Sequence, residues 1–118
     1  MATKDIVGRL GEELAAQYLV RSGWKILERN WRGGGGEADL IALDGATAVL
    51  VEVKTRTSTQ YGIPASAVTK PKIAQMHRVL AAWLETQTAQ WFEVRLDVIS
   101  VLLEPGADPD LEHFQAVA

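Results

Sequence analysis

A β-hairpin is the most constraining feature of this 118-residue sequence. The segments Ala38–Leu43 and Ala48–Arg56 are rich in aliphatic and β-branched residues, and Asp44-Gly45-Ala46-Thr47 joins them as a turn. A connection of two or four residues pairs positions whose numbers sum to 91. Because side chains alternate along a strand, the three valines of the second segment share one face. This apolar face predicts a hairpin at the centre of a sheet.

The same register places acidic residues opposite each other. Asp39 faces Glu52, and Glu37 faces Lys54, with Cβ atoms of opposite residues roughly 5 Å apart. Facing carboxylates repel, so one of them must bind a proton or a cation. Mg²⁺ usually takes one or two protein carboxylates. The pattern favours a metal site over the alternative, a solvated strand face on which Lys54 neutralises the nearest acid.

The segments around the hairpin predict one α/β domain covering residues 1–118. Apolar spacing predicts helices over about 4–22 and 70–86 and strands over about 24–32 and 92–98. Residues 111–117 are predicted to form one or two final helical turns. The expected order is αβββαβ, with a mixed central sheet flanked by helices. No repeat or internal domain boundary interrupts it.

The first helix offers two faces for packing. Ile6, Leu10 and Leu14 recur every four residues, which predicts a buried apolar stripe. Another side carries small residues that would let the helix approach a sheet closely, and this side would bring Glu12 inward. The small residues and their apolar neighbour are Gly8, Ala15, Ala16 and Leu19.

Composition excludes several classes of protein. The chain has no cysteine, so it has no disulfide framework, thiolate metal site or cysteine nucleophile. The longest apolar run, Val79–Leu84, is far shorter than the ~20 residues of a membrane span. The N-terminal residues lack the apolar stretch of a signal peptide. We therefore expect a cytoplasmic protein without a membrane partner.

The net charge of −3 argues at first against a nucleic-acid partner, but the charge is unevenly distributed. Residues 1–84 carry eleven basic and eight acidic side chains, whereas residues 85–118 carry one basic and seven acidic ones. The acidity therefore belongs to the last third of the chain. A basic or neutral face on the hairpin side remains compatible with DNA.

Several motifs together resemble a known family. Asp39 is followed after twelve residues by Glu52-Val53-Lys54, as in the PD-(D/E)XK nuclease superfamily. Further motifs are Gly8-x-x-Gly11-Glu12-x-x-Ala15, Gly23-Trp24-x-Ile26-Leu27-x-Arg29-Asn30, Gly36-Glu37-Ala38-Asp39-Leu40-Ile41-Ala42, Val51 to Arg56, Val68-Thr69-Lys70-x-Lys72 and Arg95-Leu96-Asp97-Val98-Ile99. Together they resemble the YraN branch of this superfamily, whose fold is similar to that of archaeal Holliday-junction resolvases.

The resemblance implies a role for each matching position. Asp39 and Glu52 would be metal ligands, Lys54 the catalytic lysine, and Glu12 a further ligand from the first helix. Glu37 would support the ligands or only pair with Lys54. The chain departs from the superfamily at Ala38, where a proline is usual. Its four consecutive glycines, starting at residue 33, leave the approach to Glu37 loosely defined.

Phosphate contacts are predicted from basic residues near these motifs. Lys70 and Lys72 begin the second helix, where free N–H groups favour an anion. Arg56 leaves the hairpin, and Arg32 flanks the glycines. The alternative for these residues is a solvated helix end and loop.

The resulting hypothesis is an endonuclease, dependent on Mg²⁺ or Mn²⁺, that hydrolyses DNA phosphodiesters, branched DNA among them. A homodimer would match a symmetric junction. The alternative is a non-catalytic nucleic-acid- or protein-binding module that keeps the nuclease fold.

Overall fold

Two helices and five strands make up the part of the chain that the computed structural model describes, residues 3–57, 68–88 and 93–117. They follow in the order α1 (Thr3–Arg21), β1 (Lys25–Gly33), β2 (Gly36–Asp44), β3 (Thr47–Arg56), α2 (Lys70–Glu85), β4 (Glu93–Leu102) and β5 (Asp110–Phe114). The strands form one sheet in the order β1-β2-β3-β4-β5. Strands β3 and β4 are parallel and the other neighbours are antiparallel. The predicted single α/β domain with a mixed sheet is confirmed.

The sheet lies between the two helices. One apolar cluster joins α1 to residues of β2, β3 and β4, and includes the three valines of β3. A second cluster joins α2 to the opposite face of the same strands, with Trp83 and Leu50 fully buried in it. Successive side chains of β3 therefore pack alternately in the two clusters. Glu52 lies on the same face of the sheet as Leu50, which is the face on which α2 packs.

The predicted hairpin register is confirmed over its paired length. The β2–β3 ladder runs from Asp44 opposite Thr47 to Leu40 opposite Val51, with one-to-one pairing throughout. It ends there, one position before Asp39 and Glu52. The carboxylates that the register brings together therefore lie where the two strands begin to separate.

The small-residue face of α1 contacts the sheet, whereas the first two residues of the predicted apolar stripe do not. Ala15, Ala16 and Leu19 are fully buried, while Ile6 and Leu10 remain 54% and 49% exposed. A helical period of 3.6 places these two groups on opposite sides of α1. The prediction of a buried stripe was wrong for Ile6 and Leu10, because small side chains let the other side approach more closely, whereas Leu14 packs partly buried against the core cluster.

The C-terminal segment forms a strand where helical turns were predicted. Strand β5 pairs antiparallel with β4, with Leu111 opposite Val101 and His113 opposite Ile99. Leu111 packs on the α1 core cluster. The observed order is thus αβββαββ rather than αβββαβ.

One prediction lies partly outside the described residues. The predicted fourth strand starts at residue 92, one before the first described residue of β4. Among the helices that are described, none is both long and apolar enough to cross a membrane.

Candidate active site

The fork between β2 and β3 positions the first acidic side chain of the site. Beyond the last ladder pair, the N–H of Val53 donates a hydrogen bond of 2.8 Å to Oδ2 of Asp39. This bond holds the Asp39 carboxyl group against β3, beside Glu52. Glu52 itself is buried, with a relative exposure of 7%. We call Asp39 and Glu52 the carboxylate pair.

Burial and mutual repulsion give Asp39 and Glu52 different pKa values. Burial, together with the hydrogen bond and the negative charge of Glu52, raises the pKa of Asp39 to about 8. Burial also acts to raise the pKa of Glu52, but the hydrogen bond from Asp39 and the ammonium group of Lys72 outweigh it and lower this pKa. At neutral pH without an ion, Asp39 therefore carries the proton and Glu52 the charge.

Lys72 contacts Glu52 directly. Its Nζ lies 2.6 Å from Oε2 of Glu52, and its side chain is 28% exposed. The same Nζ donates a longer bond of 3.4 Å to Gln75. Sequence reasoning placed Lys72 on substrate phosphate and did not foresee this ion pair. Helix α2, which follows β3 in the chain and packs on the sheet face that Glu52 shares, brings its first turn to this carboxylate.

Lys54 lies two positions along β3 from Glu52 and is half buried. Its positive charge helps to lower the pKa of Glu52. Within the described residues it has no ion-pair partner. The predicted pairing with Glu37 is not formed, because Glu37 instead lies 3.2 Å from the guanidinium group of Arg32.

Asn30 connects two acidic residues that approach the site from different elements. Its amide nitrogen donates to Glu12 on α1 at 3.0 Å and to Glu37 on β2 at 3.2 Å. Its φ is +50°, a backbone conformation that asparagine tolerates better than most residues. Sequence reasoning included Asn30 in a motif but gave it no role. An asparagine inside a predicted strand was the available signal, because it is a poor strand former.

The consecutive glycines form a tight connection that packs on α2. Gly34 has φ +64°, and a Cβ there would lie 2.5 Å from the carbonyl oxygen of Arg78. Gln75 donates to the carbonyl of Gly35 at 3.3 Å. The approach to Glu37 is therefore defined by contacts with α2, contrary to the expectation of a loose turn.

The remaining predicted phosphate contacts lie on three different elements, β1, β3 and α2. Lys70 is exposed at the first residue of α2, and Arg56 ends β3. Arg32 is highly exposed at 83% and is bonded to Glu37. Their contact with nucleic acid stays a prediction.

The donor set matches a hard divalent cation held by two carboxylates. No three Asp, Glu, His or Cys side chains within the described ranges come together closely enough to surround an ion. Glu12 is held on Asn30, and its place as a third ligand stays a prediction. Mg²⁺ commonly takes only one or two carboxylates and completes its octahedron with water and phosphate oxygens. The carboxylate pair meets that requirement.

Comparisons with known proteins agree with the motifs. The model of the uncharacterised protein family UPF0102 matches residues 11–101. A UPF0102 protein of Arthrobacter sp. (strain FB24) is 45% identical over 99% of both chains. One from Pseudarthrobacter chlorophenolicus is 47% identical over the whole of this chain and 89% of its own. One from Nocardia farcinica is 46% identical over 97% of this chain and 90% of its own.

Proposed function

Because the chain belongs to the uncharacterised protein family UPF0102, the YraN family that its motifs resemble, we propose that it is a metal-dependent nuclease acting on DNA phosphodiesters. The carboxylate pair is the observation that carries this proposal. A buried acidic pair with a strongly perturbed pKa lowers the stability of a domain and is typical of functional sites. Cationic side chains beside it, Lys54 and Lys72, match a phosphate substrate.

Asp39 and Glu52 would hold Mg²⁺ or Mn²⁺, which would activate water and neutralise charge on the phosphoryl group. Overall, one P–O bond of the phosphodiester would be replaced by a bond to the oxygen of water, and a proton of that water would end on the leaving sugar oxygen. The Val53 N–H orients the carboxyl group of Asp39. Lys54, on the same strand as Glu52, stabilises the negative charge that builds on the phosphoryl oxygens.

The charge distribution supports DNA as the substrate class. Basic residues exceed acidic ones over residues 1–84, and three of the acids there are the carboxylate pair and Glu12. Lys70 at the start of α2 and Arg56 at the end of β3 would contact the phosphate backbone. Binding through phosphates weakens steeply with added salt. Branched DNA is the substrate that the resemblance favours, and a homodimer would match its symmetry.

One observation favours the rival function, a non-catalytic binding module. The Lys72–Glu52 ion pair, with the proton on Asp39, already neutralises the carboxylate pair without a metal. In such a module the Lys72–Glu52 ion pair would have only a structural role, and nucleic acid would bind without being cut.

Incubation with linear, flapped and four-way DNA separates the two functions. The protein is assayed with Mg²⁺, with Mn²⁺ and with EDTA, and products are resolved on denaturing gels while binding is measured in parallel. The nuclease proposal predicts cleavage only with a divalent ion. Retarded but intact DNA under every metal condition would instead support the binding module.

A further inference from the structure

We propose that Lys72 is the exchangeable cation of this site: it binds Glu52 while no divalent ion is present and transfers to the substrate phosphate when an ion takes Glu52. The inference rests on the proposed nuclease function and concerns the regulation of the same site. It gives Lys72 two alternating partners, whereas a fixed ion pair would only stabilise the fold.

The first argument is that Glu52 needs a cation in every state. Its side chain is only 8% exposed, and an ionised carboxylate at that depth is strongly destabilising unless it is paired. Lys72 supplies the charge at 2.6 Å, within charge-assisted hydrogen-bond distance. The ammonium group therefore lies where a ligand of Glu52 would be expected.

The second argument is mutual exclusion. A magnesium ion lies about 2 Å from its oxygen ligands, so an ion on Glu52 and an ammonium group on the same carboxylate would be close neighbours. Like charges at that distance in a half-buried site repel strongly. Lys54 already adds positive charge near Glu52. Binding of the ion therefore expels the ammonium group of Lys72.

The third argument concerns where the expelled group can go. Lysine has a flexible stem and three donors, and the second bond of Lys72, to Gln75, is long at 3.4 Å. The first turn of α2 contains no acidic residue that could recapture it. Its side chain is 28% exposed, so it can turn outward without repacking the core. When DNA is bound at the ion, its phosphate oxygens offer the ammonium group of Lys72 a negatively charged, hard acceptor in place of Glu52.

This exchange couples the two ligands. Divalent ions raise the affinity for phosphate by releasing Lys72, and phosphate raises the affinity for the ion by the same factor, because linkage is reciprocal. Without Lys72, no ammonium group competes with the ion for Glu52. The effect of the ion on phosphate affinity therefore becomes smaller.

The direct test is a titration of the protein with Mn²⁺ in the absence of DNA. The concentration of free Mn²⁺ is measured by its electron paramagnetic resonance signal. The proteins are wild type, Lys72→Met and the charge-matched control Lys70→Met, whose lysine is exposed at the start of the same helix. We expect Lys72→Met to bind Mn²⁺ at least about fivefold more tightly than wild type, with Lys70→Met unchanged. Equal affinity in all three would overturn the exchange while leaving the metal site intact. Absence of Mn²⁺ binding in all three would refute the proposed function itself.

A second measurement needs no variant. Wild-type protein is treated with an amine-acylating reagent with and without Mn²⁺, and the modified lysines are quantified by mass spectrometry. Release from Glu52 predicts faster labelling of Lys72 with Mn²⁺ and an unchanged rate at Lys70. Labelling of Lys72 that slows or stays the same in Mn²⁺-loaded protein would contradict the inference, whatever the fold stability of Lys72→Met.

Discussion

The backbone N–H of Val53 donates a 2.8 Å hydrogen bond to the side chain of Asp39 just where β2 and β3 stop pairing. One oxygen of the Asp39 carboxyl group therefore accepts from the backbone of β3. The other oxygen remains available to interact with Glu52. Burial at this place, together with the hydrogen bond and the negative charge of Glu52 on the adjacent strand, raises the pKa of Asp39. The end of the β2–β3 ladder thus leaves the Val53 N–H free to bind Asp39 and positions the carboxylate pair.

Asp39→Asn should be neutral or stabilising without metal. The pKa of Asp39 is raised to about 8 in the folded chain, whereas an aspartate in the unfolded chain has a pKa of about 3.9, so the folded state binds more protons between these pH values. The contribution of this group to the free energy of unfolding therefore falls as pH rises from about 4 to about 8. Asparagine mimics the protonated acid but does not ionise, so this decrease in the free energy of unfolding with pH is absent from the variant. In EDTA at pH 9, we expect its thermal midpoint to exceed that of wild type by about 4 °C.

The control for this measurement is the same comparison at pH 5, where both proteins carry a neutral group at position 39 and should unfold within about 2 °C of each other. A variant that is clearly less stable than wild type at pH 9 would show that Asp39 is ionised and stabilising in the metal-free fold.

Lys54→Met should reduce catalysis and leave metal binding in place. Lys54 contributes charge near Glu52, but the carboxylate oxygens that would hold the ion remain. We expect DNA cleavage with Mg²⁺ to slow by about 10²–10³-fold, the usual effect of removing one stabilising group from a transition state. Lys25→Met, at an exposed lysine that begins β1, is the charge-matched control. Cleavage at the wild-type rate in Lys54→Met would exclude Lys54 from the reaction.

The hairpin could be predicted from the sequence because its determinants are local. The turn residues and the strand alternation together define the register, and hence which carboxylates meet. The small-residue face of α1 was also predicted as a side that approaches the sheet, and its Ala15, Ala16 and Leu19 are fully buried. The exposure of Ile6 could not be predicted in the same way, because hydrophobicity along a helix does not show how closely small residues such as Gly11 bring it to the sheet.

Gly11→Ala tests this close approach. A Cβ at Gly11 would lie 2.8 Å from both Cβ and Cγ2 of Thr55, and closer still to its hydroxyl group. We expect a loss of about 1–3 kcal/mol in the free energy of unfolding, measured with urea. Gly8→Ala is the matched control, because no atom lies within 4 Å of its added Cβ. It should gain about 0.5–1 kcal/mol through helix propensity. Equal effects of the two substitutions would contradict this packing account.

Strand β5 was missed because its anchor is a long-range polar network. Fully buried Asp97 accepts from Arg95, from the N–H of Ala116 at 3.0 Å, and interacts with His113 at 2.8 Å. His113 also contacts the hydroxyl group of Tyr18 at 3.0 Å. Spacing along the chain cannot show that residues 18, 97 and 113 meet. A tail of mixed polarity therefore matched a helix as well as a strand.

Asp97→Asn should destabilise the fold strongly. Burial opposes ionisation of Asp97, but its bonds from His113 and Arg95 outweigh burial and lower its pKa. The stabilisation is therefore present above the ordinary aspartate range and is lost as pH falls through the lowered pKa. We expect a loss of about 3 kcal/mol at pH 7 that shrinks as pH falls below the ordinary aspartate range, measured by urea unfolding.

Asp110→Asn, at an exposed position of β5, is the matched control and should change stability by less than about 0.5 kcal/mol. A loss in Asp97→Asn that is small, or that does not shrink in acid, would show that the buried network is not what holds β5 in place.

The rate of Mg²⁺-dependent DNA cleavage by Glu52→Gln tests the central claim most directly. Glu13→Gln is the matched control, since Glu13 is exposed and its ion pair with Arg29 is a surface one. Identical purification of both variants and wild type also exposes any contaminating nuclease. We predict at least about a 10²-fold loss in Glu52→Gln, because the ion loses a charged ligand, and a rate within about twofold of wild type in Glu13→Gln. Equal cleavage by all three proteins would contradict the assignment of a metal-dependent nuclease site to Asp39 and Glu52.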